Sequence, residues 1–193
     1  MKKIIFYTVV VIVAVVGLFA ALRTRGPVQN TRQINDHEIL IAYFSATGNT
    51  KFVAEKLTIA QDAVLFQIRP AEPYTVEDLD WRNDKSRAAI EMADKDSRPE
   101  IRSKLSDISQ YKTIFVGFPI WWGREPSIID TFMESYDFSG KTIIPFATSG
   151  SSDIGDCAEH LQALAPKAKV LKGKRFPVDV SIEELKAWAD KQK

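Results

Sequence analysis

The stretch Ile39–Thr50, which reads ILIAYFSATGNT, decides the fold of this chain. It is an apolar run typical of a buried strand, followed by three hydroxyl side chains and a glycine, and a helical pattern begins directly after it. A glycine lets the backbone curl so that several N–H groups point at one oxyanion, and a helix N-terminus adds partial positive charge. The stretch therefore predicts a phosphate-binding turn. The alternative is an ordinary strand-to-helix turn capped by Thr47 or Asn49.

The phosphate turn does not match the loop that holds nucleoside triphosphates. The pattern G-x-x-x-x-G-K-[ST] cannot be fitted to it, and no arginine or lysine occurs in the turn before Lys51. A P-loop nucleotide-binding function is therefore disfavoured.

Two further apolar runs end in unusual loops. Residues 113–118, TIFVGF, lead into PIWWGREP, and residues 142–147, TIIPFA, lead into TSGSSDIG. Adjacent tryptophans in a loop rich in proline and glycine cannot both lie in the core. In an open parallel sheet the carboxyl ends of the strands lie on one side, and ligands bind there. We therefore expect the three loops to form one site.

The three loops resemble those of the flavodoxin family, in particular its short-chain members with Y-F-S-x-T-G-N-T and G-x-P-x-W-W-G. The likeness runs from about Ile39 to Trp188. It implies that the chain binds flavin mononucleotide (FMN). By this resemblance the phosphate would be bound by Ser45, Thr47, Gly48, Asn49 and Thr50, the flavin ring would be flanked by Pro119, Trp121, Trp122 and Gly123, and its pyrimidine side would be lined by Ser149, Gly150, Ser151 and Gly155.

The chain departs from this pattern at one place. Many flavodoxins carry a tyrosine in the last of the three loops, where it stacks on the outer face of the flavin. Residues 149–155 of this chain contain no aromatic side chain. Trp81 and Tyr74 are the candidates to replace it.

Strand and helix patterns alternate along the chain after the phosphate turn. Strands are expected at 39–44, 63–68, 113–118, 142–147 and 169–171, and helices at 50–59, 83–93, 127–135, 156–164 and 182–190. This alternation predicts an α/β fold, a flavodoxin-like three-layer sandwich with a five-stranded parallel sheet of order 2-1-3-4-5.

The distribution of charged side chains limits the classes of partner that the chain can bind. Five of the 26 basic side chains precede Gln33 and all 25 acidic ones follow it, so the remainder has 21 basic and 25 acidic side chains and a net charge of −4. We therefore expect no nucleic-acid partner.

The single cysteine, Cys157, excludes disulfide frameworks and thiolate zinc sites, and we predict no metal site. Near the start of a helix and close to His160, Cys157 could be a reactive thiol, but a small buried cysteine is the favoured interpretation.

The N-terminal segment predicts membrane attachment. Residues 4–22 carry no charge, and a helix of that length spans about 30 Å, the thickness of the hydrocarbon core. We expect residues 1–23 to be an uncleaved signal anchor, 24–37 a linker and 38–193 the flavodoxin-like domain; a cleaved signal is the alternative. Lys2, Lys3 and the terminal amine precede the segment and Arg23 and Arg25 follow it, which favours an extracytoplasmic domain by a narrow margin over a cytoplasmic one.

Flavin chemistry requires no acid–base side chain from the protein, and we assign no catalytic residue. The expected function is a one-electron carrier that passes electrons between redox partner proteins at a membrane. The rival is an NAD(P)H:quinone-type oxidoreductase that uses the same cofactor. A flavodoxin-like module that has lost its cofactor is a third interpretation, which the intact phosphate turn disfavours. The sequence leaves the oligomeric state open.

Overall fold

The computed structural model describes residues 38–192, which fall within one compact unit, Asp36–Lys193. The strands are β1 (Ile39–Tyr43), β2 (Val64–Gln67), β3 (Thr113–Pro119), β4 (Thr142–Thr148), β5 (Lys169–Val170) and β6 (Lys174–Phe176). The α-helices are α1 (Asn49–Gln61), α2 (Arg87–Ala93), α3 (Ser127–Glu134), α4 (Cys157–Leu164) and α5 (Ile182–Asp190), with a 3-10 turn at Glu77–Leu79.

The sheet is parallel, and its order β2-β1-β3-β4-β5 confirms the prediction. The central strands β1, β3 and β4 are almost wholly buried, as expected for a parallel sheet that is covered on both faces. Their side chains alternate between two apolar clusters. Leu40, Ile114 and Ile143 belong to one cluster, and Ile41, Phe115 and Ile144 belong to the other.

Each face of the sheet is covered by a pair of helices. α3 and α4 contribute Ile128, Phe132 and Leu161 to the first cluster, and α1 and α5 contribute Leu57 and Leu185 to the second. The protein is therefore the three-layer sandwich that the alternating patterns predict.

The structure differs from the predicted elements most clearly at two places, and the other helices and strands begin and end within two residues of their predicted bounds. α2 begins at Arg87 rather than at residue 83, because the side chain of Ser86 accepts a hydrogen bond from the N–H of Ala89 (3.3 Å) and caps the helix. The edge of the sheet has a sixth strand, β6, which pairs with β4 beyond the end of β5. Two of its three residues, Lys174 and Arg175, are charged, so it lacks the apolar run that marks the other strands.

The predicted signal anchor at 1–23 and the linker at 24–37 lie outside the described residues. Within residues 38–192, no helix has the length and apolar character to cross a membrane.

Candidate functional site

The three loops that the sequence analysis singled out lie side by side at the carboxyl edge of the sheet. They follow β1, β3 and β4, which are hydrogen-bonded neighbours. The hydroxyls of Thr50 and Thr148 share a buried hydrogen bond of 2.8 Å, which joins the start of α1 to the end of β4. The N–H of Ile120 donates to the carbonyl of Thr148 (3.0 Å). These contacts hold the loops together as one site.

The turn between β1 and α1 presents unpartnered backbone donors. Gly48 has a φ of 95°, a conformation that side chains other than glycine rarely adopt, and its N–H donates to Oγ of Ser45 (3.1 Å). The first hydrogen bond of α1 runs from the N–H of Phe52 to the carbonyl of Gly48 (3.1 Å). No group within residues 38–192 accepts from the N–H of Asn49, Thr50 or Lys51.

The expectation that Thr47 or Asn49 would cap α1 in an ordinary turn is wrong. The cap position of α1 is Gly48, with no side-chain capping bond, and both Thr47 and Asn49 are exposed. The open N–H groups and the helix N-terminus leave a favourable position for a phosphate.

Residues 121–124 form a tight turn after β3. The N–H of Trp121 donates to the carbonyl of Arg124 (2.9 Å), and the N–H of Arg124 donates back to the carbonyl of Trp121 (3.0 Å). The two central residues, Trp122 (φ 46°) and Gly123 (φ 85°), both have positive φ, which defines a type I′ turn. Glycine suits the second position, whereas a tryptophan at the first is strained.

The two adjacent tryptophans have different surroundings. Trp121 packs edge-on against Phe44 (ring centroids 5.6 Å apart) and Tyr74 (5.3 Å), and these two rings also contact each other. Trp122 is 51% exposed. The expectation that the pair cannot both lie in the core is therefore confirmed: Trp121 anchors the turn and Trp122 faces outward.

The two candidates for the second flavin-covering ring, Tyr74 and Trp81, have different surroundings. Tyr74 packs on Trp121, its hydroxyl donates to Glu91, and the guanidinium of Arg87 lies 4.2 Å from its ring centre. Burial and the bond to Glu91 raise the pKa of Tyr74. Trp81 is 73% exposed and, with Trp122 and Met92, lines a cavity of about 310 Å³ beside the turn.

The loop after β4 is polar and open. Ser149 is half-buried, and its hydroxyl accepts from the N–H of Ser151 (3.2 Å), while Gly150 and Ser151 are exposed. Gly155 approaches the second loop, because a side-chain carbon at this position would lie 3.5 Å from the carbonyl oxygen of Gly123. Every site residue named from the sequence thus lies at this one edge, from Ser45 after β1 to Gly155 after β4.

This edge fits a planar ligand that carries a phosphate. It provides open N–H donors at the start of α1, an exposed indole after β3, and a polar loop after β4. A larger groove of about 1060 Å³ lies elsewhere, and its lining, which includes Lys104, Ile108 and Tyr136, contains none of the three loops.

Two buried acids next to this site were not predicted from the sequence. Glu125 and Asp130 are 0% and 1% exposed, and His160 lies against both. Cys157 is also buried, and burial with the nearby charge of Glu125 raises the pKa of its thiol, which confirms a buried cysteine rather than a reactive one. Nothing in the sequence marks Glu125 as buried, since a Pro- and Gly-rich loop normally exposes its charges.

Comparison with known proteins identifies the class. A family model described as Flavodoxin matches residues 38–192, and the chain therefore belongs to the flavodoxin family. No curated protein matches it.

Solved structures agree with this assignment. The chain is 47% identical to a candidate flavoprotein from Bacteroides uniformis (TM-score 0.76; 80% of this chain and 98% of that chain covered). It is 46% identical to one from Bacteroides eggerthii (TM-score 0.75; 79% and 95% covered). A flavoprotein from Lactobacillus acidophilus, solved in complex with FMN, has the same fold at 23% identity (TM-score 0.62; 78% and 97% covered).

Proposed function

We propose that this chain binds FMN at the carboxyl edge of its sheet and carries electrons between redox partner proteins. FMN is the cofactor that family membership and the FMN-bound relative support. The observation that carries the proposal is the set of three unpartnered N–H groups at the start of α1, at the same edge of the sheet as the exposed indole of Trp122.

The N–H groups of Asn49, Thr50 and Lys51 would bind the phosphate together with the hydroxyls of Ser45 and Thr47. The buried hydroxyl pair Thr50–Thr148 fixes the turn in advance, so that little ordering is needed on binding. Trp122 would contact the ring, and the polar loop at Ser149–Ser151 would offer backbone donors to its pyrimidine edge. When bound, the flavin supplies the redox chemistry, and the protein positions it and sets its potential.

Gly123 has a specific place in this proposal. Its carbonyl points toward Gly155 on the neighbouring loop, and its φ of 85° suits a residue without a side chain. In flavodoxins a peptide at this position turns over on reduction of the flavin, and glycine lowers the conformational energy that this change requires. Gly123 would therefore adjust the hydrogen bonding of this turn to the redox state.

An absorbance spectrum of the purified full-length chain during stepwise dithionite reduction tests the proposal. A flavin spectrum that disappears in two separate one-electron steps supports a carrier. Protein that neither contains a flavin nor takes one up when FMN is added would refute cofactor binding.

One observation favours the rival function, an NAD(P)H:quinone-type oxidoreductase. The cavity of about 310 Å³ lined by Trp81, Met92 and Trp122 lies beside the proposed flavin site and is within the size range of small-molecule pockets. Rapid reduction of a quinone by the purified chain with NADPH alone, without an added reductase, would establish this enzyme activity in place of a carrier.

We further propose that residues 1–23 tether the domain to a membrane, with the domain on the extracytoplasmic side. The support is the uncharged run at 4–22 and the two lysines, Lys2 and Lys3, that precede it. Protease added to intact, wall-stripped cells should digest the domain. Protection until lysis would place the domain in the cytoplasm, and release into the medium would indicate a cleaved signal.

A further inference from the structure

A second cluster of functional groups lies behind the tight turn, outside the proposed flavin site. It consists of Glu125, which precedes α3, Asp130 within α3, and His160 of α4. One potential ligand atom from each of the three lies within 4.8 Å of the other two. Nδ1 of His160 contacts Oε1 of Glu125 and lies 3.8 Å from Oδ1 of Asp130.

The two acids are buried and incompletely satisfied. Among the described residues, Oε2 of Glu125 and Oδ1 of Asp130 have no hydrogen-bond partner. A buried carboxylate oxygen without a partner is costly, and native proteins seldom retain one unless it serves a purpose.

Two arginines hold Asp130 from its other side. Nη2 of Arg124 lies 2.6 Å from Oδ2 of Asp130, and Nη1 of Arg98 lies 3.8 Å from the same oxygen. Both guanidinium groups thus contact Oδ2, and Oδ1 is left facing His160. Ligating carboxylates are commonly oriented in this way, by hydrogen bonds to the oxygen that does not bind the metal.

The negative charges around the cluster outnumber the positive ones, which favours binding of a cation. Arg98 is also paired with Glu134 (2.8 Å), so that three carboxylates, those of Glu125, Asp130 and Glu134, face two guanidinium groups. Without His160, these five groups have a formal net charge of −1. A divalent cation would find excess negative charge, and the imidazole, 38% exposed, gives it a route from solvent.

We propose that Glu125, Asp130 and His160 bind a divalent transition-metal ion, with Zn²⁺ as the best match. One imidazole nitrogen and two carboxylates are ligands of the kind that zinc takes, and a site with three protein ligands keeps a position for water. Mg²⁺ and Ca²⁺ prefer sites made of oxygen alone. The inference is independent of the proposed FMN function.

Isothermal titration of the purified full-length chain, free of a histidine tag and treated with EDTA, tests the site with Zn²⁺ alone. We expect one Zn²⁺ per chain and much weaker binding of Mg²⁺. Glu125→Gln and His160→Gln should each weaken Zn²⁺ binding by at least about 10-fold, since even outer-shell changes cost about 10- to 100-fold. His37→Gln removes the only other histidine and should leave binding unchanged.

Thermal unfolding gives a second measurement, which reports Zn²⁺ binding by the unaltered chain through its stability. Zn²⁺ at about 100 times its Kd should raise the Tm by about 5–10 °C. The rise should disappear in His160→Gln, whose half-buried side chain can be changed with the least risk to folding. No Tm shift and no binding by the unaltered chain would overturn the proposal, as would binding that survives in His160→Gln or is lost in His37→Gln.

Discussion

Trp121 and Trp122 are adjacent in sequence, and their replacement by alanine should separate protein stability from cofactor binding. Trp121 makes two edge-to-face contacts, with Phe44 and Tyr74, at centroid distances of 5.6 and 5.3 Å. Such pairs contribute about 0.5–1.5 kcal/mol each. Trp121→Ala should therefore lower the free energy of unfolding by about 1–3 kcal/mol, before lost burial is counted.

Trp122 should behave in the opposite way. Half of its surface is exposed (51%), and it contributes to no ring pair among the described residues. Its removal should change stability little. If it stacks on the flavin, the loss of about 0.5–1.5 kcal/mol weakens FMN binding by about 2- to 12-fold, with lost contact area adding to that factor.

Two measurements decide between these roles: urea unfolding of the FMN-free protein, and FMN affinity from the quenching of flavin fluorescence. Trp188→Ala is a matched control, because Trp188 packs on Phe115 and Phe176 on the other face of the sheet. This variant should lose stability and keep its FMN affinity. Unchanged FMN affinity in Trp122→Ala would refute the placement of the flavin against this turn, and an unchanged unfolding midpoint in Trp121→Ala would refute its anchoring role.

Three further predictions address the phosphate turn, the core and the activity. Thr47→Val keeps the shape of the side chain but removes a hydroxyl, so it should weaken FMN binding by about 1.5–3 kcal/mol and leave riboflavin binding unaffected. Equal losses of affinity for both ligands would show that Thr47 does not bind the phosphate. Gly117→Ala places a methyl group 2.1 Å from a ring carbon of Phe146 and should lower the free energy of unfolding in urea by about 1–3 kcal/mol. The double variant Gly117→Ala/Phe146→Leu should recover part of this loss. Full stability of the single variant would contradict the packing of β3 on β4. Purified protein should oxidise NADPH slowly unless a reductase is added, and fast unaided turnover would show an enzyme.

The sheet order was predictable because its three central strands are apolar runs that end in distinctive loops. The edge was harder to predict. β5 and β6 are two short strands along the same edge, both paired with β4. Between them Gly173 lies so close to β4 that a side-chain carbon on Gly173 would be 2.5 Å from the carbonyl oxygen of Pro145. Such a break depends on contact with a neighbouring strand, so the local hydrophobic periodicity does not predict it.

The site was predictable as a set of loops, whereas the roles of individual side chains within it were not. Loop positions follow from the rule that parallel strands end on one side of a sheet. The division between Trp121 and Trp122 depends on Tyr74, which lies far from them in sequence and packs against only one of them. Asp130 would be assigned to the solvent face of α3 by its charge, and it is buried instead.

The tight turn and the buried acids belong to one continuous segment, and this has a consequence for redox tuning. Gly123, at the proposed flavin site, is only two residues from Glu125 of the proposed metal site. Electron-rich indoles and the net charge of −4 from Gln33 onward would disfavour the anionic reduced form of a bound flavin and lower its potential. A divalent cation held by Glu125 and Asp130 would act in the opposite direction, because nearby positive charge stabilises the reduced form. If both proposals hold, the potential of the flavin depends on whether the metal site is filled, and the β3–α3 segment is the part of the chain that couples the two.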